Sequence, residues 1–253
     1  MYHFFVDSSQ ITPDFARVEI NGSDYNHIAN VLRMKPGEQF SVSVRDDDSG
    51  REIFYEIEEF TDSSVFGKLC FVEEVGNELP SKIYLFQGLP KVDKMELILQ
   101  KAVELGAYQI VPMVTKRCVV KLDEKKAETK VKRWQAIAEA AAKQSKRAII
   151  PEVMRPMTMK QAIEYAKDME LKLIPYENAR GMDATKELMG EIRTGQRIAV
   201  FIGPEGGFSE EEISMCRDNG IKPITLGKRI LRTETAGFTI ISWLMYHLEC
   251  LQE

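Results

Sequence analysis

The apolar pattern changes character near Gly76-Asn77-Glu78-Leu79-Pro80, a short polar stretch ending in proline, and two architectures are needed to accommodate its two sides. Upstream, residues 17–20, 39–44 and 52–57 alternate apolar with polar, the period-2 signature of half-buried strands. Turn signals stand between these runs at Asn21-Gly22, Pro36-Gly37 and Asp47-Asp48-Ser49-Gly50. One short helix is predicted over 23–32, with Ser23 as its cap and Ile28, Val31 and Leu32 on one face. The pattern predicts a small β-barrel-like domain over residues 1–75.

Downstream, strands and helices alternate. Residues 82–86 read as a strand. Asp93 with Glu96 then opens a helix whose core face carries Met95, Ile98, Leu99, Ala102 and Leu105 and which Gly106 closes. A strand over 109–114, a long helix over 123–144 and strands over 171–175 and 197–202 follow. The chain then gives a helix capped by Ser209 with Glu212, a short strand over 224–226 and a last helix from about 233. Alternation of this kind predicts an α/β domain over 76–253, built on a mostly parallel sheet covered by helices.

Composition narrows the chemistry. The chain has 253 residues, 44% of them apolar, enough for a packed core. Its four cysteines are scattered without C-x-x-C pairing, and its three histidines stand far apart, so neither a disulfide framework nor a metal site is expected. The most apolar run, 238–245, is far shorter than a bilayer needs, and the first residues lack a basic leader, so no membrane partner is expected and the cytoplasm is the default location. A net charge of −5 argues against indiscriminate nucleic-acid binding but leaves room for a local basic face.

Two loops follow apolar strands and lead into helices. Gly203, Gly206 and Gly207 come directly after 200–202 and leave main-chain groups unobstructed next to the helix that Ser209 starts. The spacing matches neither the dinucleotide fingerprint nor a P-loop. A plain strand-to-helix turn and a small polar ligand site are both compatible with it. In the second loop Arg229, Arg232 and Glu234 crowd a segment that enters an otherwise apolar helix. Arginines placed there either pair with a carboxylate, Glu234 or Glu205 for Arg232, or meet an anionic partner.

Gly203-Pro-Glu-Gly-Gly-Phe-Ser209, together with Leu226-Gly-x-Arg-Ile-Leu-Arg-x-Glu-Thr-Ala236, resembles the paired cofactor loops of the SPOUT methyltransferases, and more closely those of the RsmE family. Lys101-Ala-Val-Glu-Leu-Gly106, Glu139-Ala-Ala-Ala-Lys-Gln-Ser-Lys-Arg147 and His27-Ile-x-x-Val-Leu-Arg33 also match that family's segments, so the likeness spans nearly the whole chain. It implies an N-terminal PUA-like barrel, a C-terminal SPOUT trefoil-knot domain, a homodimer, and methylation of a uridine N3 in small-subunit (16S) ribosomal RNA by S-adenosylmethionine. Carried over residue by residue, it implies cofactor contacts from Gly203, Pro204, Glu205, Gly206, Gly207, Leu226, Gly227, Ile230, Leu231, Thr235 and Ala236. A third contact near Tyr176 and Glu177 competes with an ordinary surface turn.

For the chemistry, Arg232 is the candidate cation beside the uracil oxygens and Glu234 the candidate base, with Glu205 as its alternative. For ribosomal RNA or the small subunit, the resemblance points to Arg33, Lys91, Gln144 and Arg147. A basic stretch that includes Lys116, Arg117, Lys121, Lys125, Lys126, Lys130, Lys132, Arg133, Lys143, Lys146 and Arg147 is either a phosphate-binding face or solvated helix surface. His27 is either an RNA contact or a packed core side chain. Where the family commonly has arginine and an acidic residue this chain has His3 and Lys143. Two other functions share these features: a ribose 2′-hydroxyl methyltransferase of the same fold, and an RNA-binding assembly factor without catalysis.

Overall fold

The computed structural model describes residues 1–45, 47–74, 76–91, 94–120, 122–179 and 181–251. The helix cap expected at Asp93 and the basic Lys121 lie outside these. The described chain separates into two compact units, Met1–Glu78 with Ala142–Ile150, and Leu79–Ala141 with Pro151–Glu253. The reading of a single cut at 75/76 did not include the return of 142–150 to the first unit.

In the first unit, β1 (Tyr2–Val6), β2 (Arg17–Asn21), β3 (Gln39–Val44), β4 (Glu52–Phe60) and β5 (Ser64–Glu73) form one sheet in the order β1-β3-β4-β5-β2. The sheet curls so that one side chain in two along each strand meets in a common core of Phe4, Val18, Phe40, Val42, Ile53, Tyr55 and Val65. The β5 strand was not separately legible, because Leu69-Cys70-Phe71-Val72 breaks the alternation where β4 and β5 slip register between Phe54 and Tyr55. Between β2 and β3 the chain forms α1 (Gly22–Asn26), which widens into a π-helical turn over His27–Leu32. Asn21 rather than Ser23 precedes it. The wider turn rotates the faces, so Ile28 is buried while Val31 is 64% exposed instead of sharing its face.

Glu78 closes this unit. Its carboxylate accepts from Nε of Arg147 at 3.1 and 3.2 Å and from the main-chain N–H groups of Ala148 and Ile149 at 3.0 and 3.2 Å, with Arg147 Nη2 as a further donor.

The second unit holds β6 (Lys82–Gly88), α2 (Lys94–Glu104), β7 (Ala107–Val114), α3 (Glu124–Gln144), whose last residues pass into the first unit, β8 (Glu152–Val153) and β9 (Met157–Thr158). After these come α4 (Met159–Tyr165), β10 (Leu171–Pro175), α5 (Met182–Gly190), β11 (Arg197–Ile202), α6 (Glu210–Asp218), β12 (Lys222–Ile224) and α7 (Thr233–Cys250). The strand order is β12-β10-β11-β6-β7-β8, with β9 also on β7, and each of these pairings is parallel. Parallel strands covered on both faces read as unbroken apolar runs, as Ile198 to Ile202 does. The short helices α4 and α5 carry only three and one buried side chains and left no readable periodicity.

Candidate functional site

The central strands β6 and β11 lead off in opposite directions, β6 through α2 to β7 and β11 through α6 to β12. A crevice opens at the carboxyl ends of parallel strands at such a switch point. The bend after β11 is built tightly. A Cβ on Gly88, the last residue of β6, would stand 2.6 Å from both Cδ and N of Pro204, so only glycine lets the two chains approach this closely. Gly207 turns the bend with φ +67°, and nothing lies within 4 Å of where its Cβ would be. Ser209 then caps α6: its hydroxyl accepts from Glu212 N, while Glu212 accepts from Ser209 N at 2.8 Å. The other Glu212 oxygen accepts from Lys116 N at 2.8 Å, and Arg117 donates to Gly206 O at 2.8 Å, which fixes the bend to the turn after β7.

The second bend, 225–232, is pinned at both ends. Thr225 exchanges hydrogen bonds with Gly227, and its N–H and C=O both bond the Thr185 hydroxyl at 3.2 Å. At the far end buried Thr233 accepts from Gln87 Nε2 at 2.9 Å and donates to Gly203 O at 2.6 Å. That chain of bonds joins the two bends through side chains that are almost wholly buried, where an unmade partner would cost about 1–3 kcal/mol.

Between the bends lies a cavity of about 490 Å³, within the range of small-molecule sites. Of the expected cofactor contacts, Gly203 to Gly207, Leu226, Gly227, Ile230, Leu231 and Ala236 line it. Thr235 does not; it is exposed on α7, and its C=O accepts from the Thr239 hydroxyl. Tyr176 and Glu177 also line the cavity, because β10 lies beside β11 and ends at the same edge.

Arg232 lines the cavity, exposed, and the ion pair that could have absorbed it is made by another residue. Lys94 Nζ stands 3.4 Å from Glu205 Oε1 and 3.3 Å from Glu234 Oε2, bridging the first bend and the start of α7. Burial works against ionisation of Glu205, but its own and Lys91's N–H groups together with the Lys94 ammonium outweigh it and hold the carboxyl below its usual range. Glu234 is paired with Lys94, its side chain only 15% exposed, and does not line the cavity. Sequence reasoning missed Lys94 in this role, because nothing local relates it to carboxylates more than a hundred residues away.

The RNA candidates differ in their surroundings. Arg33 is exposed, in the left-handed region at φ 55°, and ends the π-helical turn. His27 is exposed, edge-on to Phe4 at 6.2 Å, and is not a core residue. Lys91 is exposed, with its N–H 3.1 and 3.3 Å from the two Glu205 oxygens, and Gln144 is exposed at the end of α3. Arg147 is corrected: at 3% exposure and bound to Glu78, it is an internal brace and not a surface contact. Much of the basic stretch is likewise engaged, Lys116 with Glu211, Lys126 with Asp123, Lys132 with Glu128, Arg133 with Glu96 and Lys143 with Asp24. Among the described residues no group of three His, Cys, Asp or Glu is placed to hold a metal ion, and no helix is long and apolar enough to cross a membrane.

Comparison with known proteins agrees with this geometry. An RNA methyltransferase domain matches residues 77–245, and an RNA methyltransferase PUA domain matches residues 20–70. The ribosomal RNA small subunit methyltransferase E of Bacillus subtilis is 35% identical over 100% of this chain and 99% of its own length. Among solved structures, the enzyme of that name from Neisseria gonorrhoeae, bound to S-adenosyl methionine, is 30% identical with a TM-score of 0.78 and 97% of each chain covered. A putative methyltransferase from Legionella pneumophila in complex with the cofactor SAM is 34% identical with a TM-score of 0.77 and 96% of each chain covered. Full-length identity at this level, over both domains and with the same fold, places the chain in the ribosomal RNA small subunit methyltransferase E family.

Proposed function

We propose that this protein methylates N3 of a uridine in small-subunit (16S) ribosomal RNA with S-adenosylmethionine as donor. The observation that carries the reading is the bond from Thr233 to Gly203, which closes two backbone-rich bends around one cavity with Arg232 at its lip. The cavity suits the donor: Gly203, Gly206, Gly207 and Gly227 line it, and nothing lies within 4 Å of where a Cβ would stand on Gly207 or Gly227. Bound there, S-adenosylmethionine supplies a methyl group activated by a sulfonium.

The protein's part is alignment and charge control. Uracil N3 must lose its proton to become nucleophilic, and negative charge then develops on O2 and O4. Arg232, exposed at the cavity and in no ion pair among the described residues, is the group in this reading that meets that charge. Glu205 and Glu234 share Lys94, and the shared ammonium ties the bend after β11 to the first turn of α7. Glu234 acts as the base only if substrate binding draws it from that ammonium.

The reading extends to assembly and place. The first unit serves as the RNA-binding PUA-like domain, with Arg33 its foremost contact, and the methyltransferase domain is threaded as a trefoil knot. The active form is a homodimer, supported by apolar side chains left open at Ile230 (85% exposed) and Tyr246 (71%) beside and along α7. The enzyme works in the cytoplasm. Nucleoside mass spectrometry of 16S rRNA from a strain lacking the gene tests the central claim. Loss of 3-methyluridine is expected, and unchanged 3-methyluridine with a missing 2′-O-methyl nucleoside would transfer the protein to the ribose-modifying reading.

A further inference from the structure

Most cations that looked from the sequence like an RNA face are already engaged within the protein. Arg147 is buried on Glu78, and Lys116, Lys126, Lys132, Arg133 and Lys143 each stand within 4 Å of a carboxylate. The second bend is different. Lys228, Arg229 and Arg232 fall within five residues, all are exposed, and all line the cavity. No ion pair or side-chain hydrogen bond engages any of the three among the described residues; Glu205 and Glu234 are held by Lys94, and Glu177, which also lines the cavity, is paired with none of them. Three positive charges without an ion-pair partner, so close together, repel one another unless an anion sits among them.

The segment is also a built arch. Thr225 with Thr185 and Gly227 anchors one end, and Thr233 bonded to Gly203 anchors the other. Gly227, at φ +110°, makes the turn that starts the arch. An arch fixed at both ends holds the backbone that carries these charges in place, and phosphate contacts are the ones that set a protein's register on a nucleic acid.

We propose that Lys228 and Arg229 form a phosphate-binding lip that takes the RNA backbone beside the target nucleotide, leaving Arg232 to face the base. This rests on the methyltransferase reading above and adds to it a substrate-docking site. The ligand class is the phosphodiester of a single-stranded or locally opened RNA segment, because the target base has to leave its stack to enter the cavity.

The test uses the full-length protein, 16S rRNA extracted from a strain lacking the enzyme, and the double variant Lys228→Ala/Arg229→Ala. RNA affinity is measured from 50 to 300 mM salt, and S-adenosylmethionine affinity by calorimetry. The expected result is a slope of log affinity against log salt that is shallower by about 0.7 for each cation removed, with cofactor affinity unchanged. An unaltered slope overturns the lip. So does a loss of cofactor affinity at constant slope, which would assign these charges to the donor. Wild-type methyl transfer to the same RNA is run alongside: activity with an unaltered variant slope fails the lip alone, whereas a lip-dependent slope without any transfer by wild type fails the methyltransferase reading alone.

Discussion

At the scale of single residues, the site divides its charges into two classes. Lys94 is spent on Glu205 and Glu234, and the cost of removing it would be two carboxylates left facing each other across the bends. Arg232 is held back, with no ion-pair partner among the described residues and a place at the cavity. A cation kept unpaired so close to a polar pocket has its energy to give to whatever charge arrives there, which is the condition for transition-state stabilisation. Arg232→Ala is therefore expected to lower turnover by about 100-fold or more while leaving S-adenosylmethionine affinity within about threefold. Single-turnover methyl transfer paired with calorimetry measures both, and normal turnover would take Arg232 out of the chemistry. The arginine itself was legible in the sequence. Its freedom was not, since whether Glu234 pairs with it or with Lys94 depends on where α2 lies against α7.

At the scale of elements, two parallel strands and the bends that follow them must pack at nearly backbone contact. Gly88 at the end of β6 and Pro204 after β11 meet with no room for a methyl group. Gly88→Ala places a Cβ 2.6 Å from main-chain and ring atoms of Pro204, which cannot rotate away, so the bend itself has to move. We expect a loss of about 1–3 kcal/mol in stability, as for other overpacked sites, together with weakened cofactor binding. Chemical denaturation and calorimetry on the same variant check the two effects, and a variant with full stability and full affinity would show that the contact is not needed. Gly88 drew no notice in the sequence because its neighbour is more than a hundred residues away. The capping box of Ser209 and Glu212 was legible because its bonds span three residues. The π-helical turn before Arg33 was not, since a 3.6-residue template places Val31 inward, whereas the widened turn leaves it exposed.

At the scale of the whole molecule, the chain leaves its first unit at Glu78 and comes back to it over 142–150. Arg147 and Glu78 hold that return, their side chains 4% and 14% exposed. Removing one member of a buried ion pair leaves the other uncompensated, at about 3–5 kcal/mol. Arg147→Met is therefore expected to lower the thermal midpoint of the protein sharply, while the salt dependence of RNA affinity in the surviving folded fraction stays as in wild type. Differential scanning calorimetry with the binding assay decides; an unshifted midpoint with a shallower salt slope would restore Arg147 to the RNA face. The sequence presented Arg147 as one of a series of basic residues, and its burial became visible only when a glutamate 69 residues earlier closed over it.

What the sequence determined by itself was everything written in short-range pattern: the strand-rich first part, the alternation of strands and helices in the second, and the glycine-lined bends with their cap. Periodicity and local turn chemistry act over a few residues, so they survive without knowledge of the partner surface. What only the tertiary structure decided was the pairing of distant groups: Thr233 with Gly203, Lys94 with two carboxylates and Arg147 with Glu78, while Lys228, Arg229 and Arg232 pair with no carboxylate among the described residues. A side chain's charge is fixed by its type, but whether that charge is spent on the fold or left for a ligand is set by the groups that folding brings within a few ångströms of it.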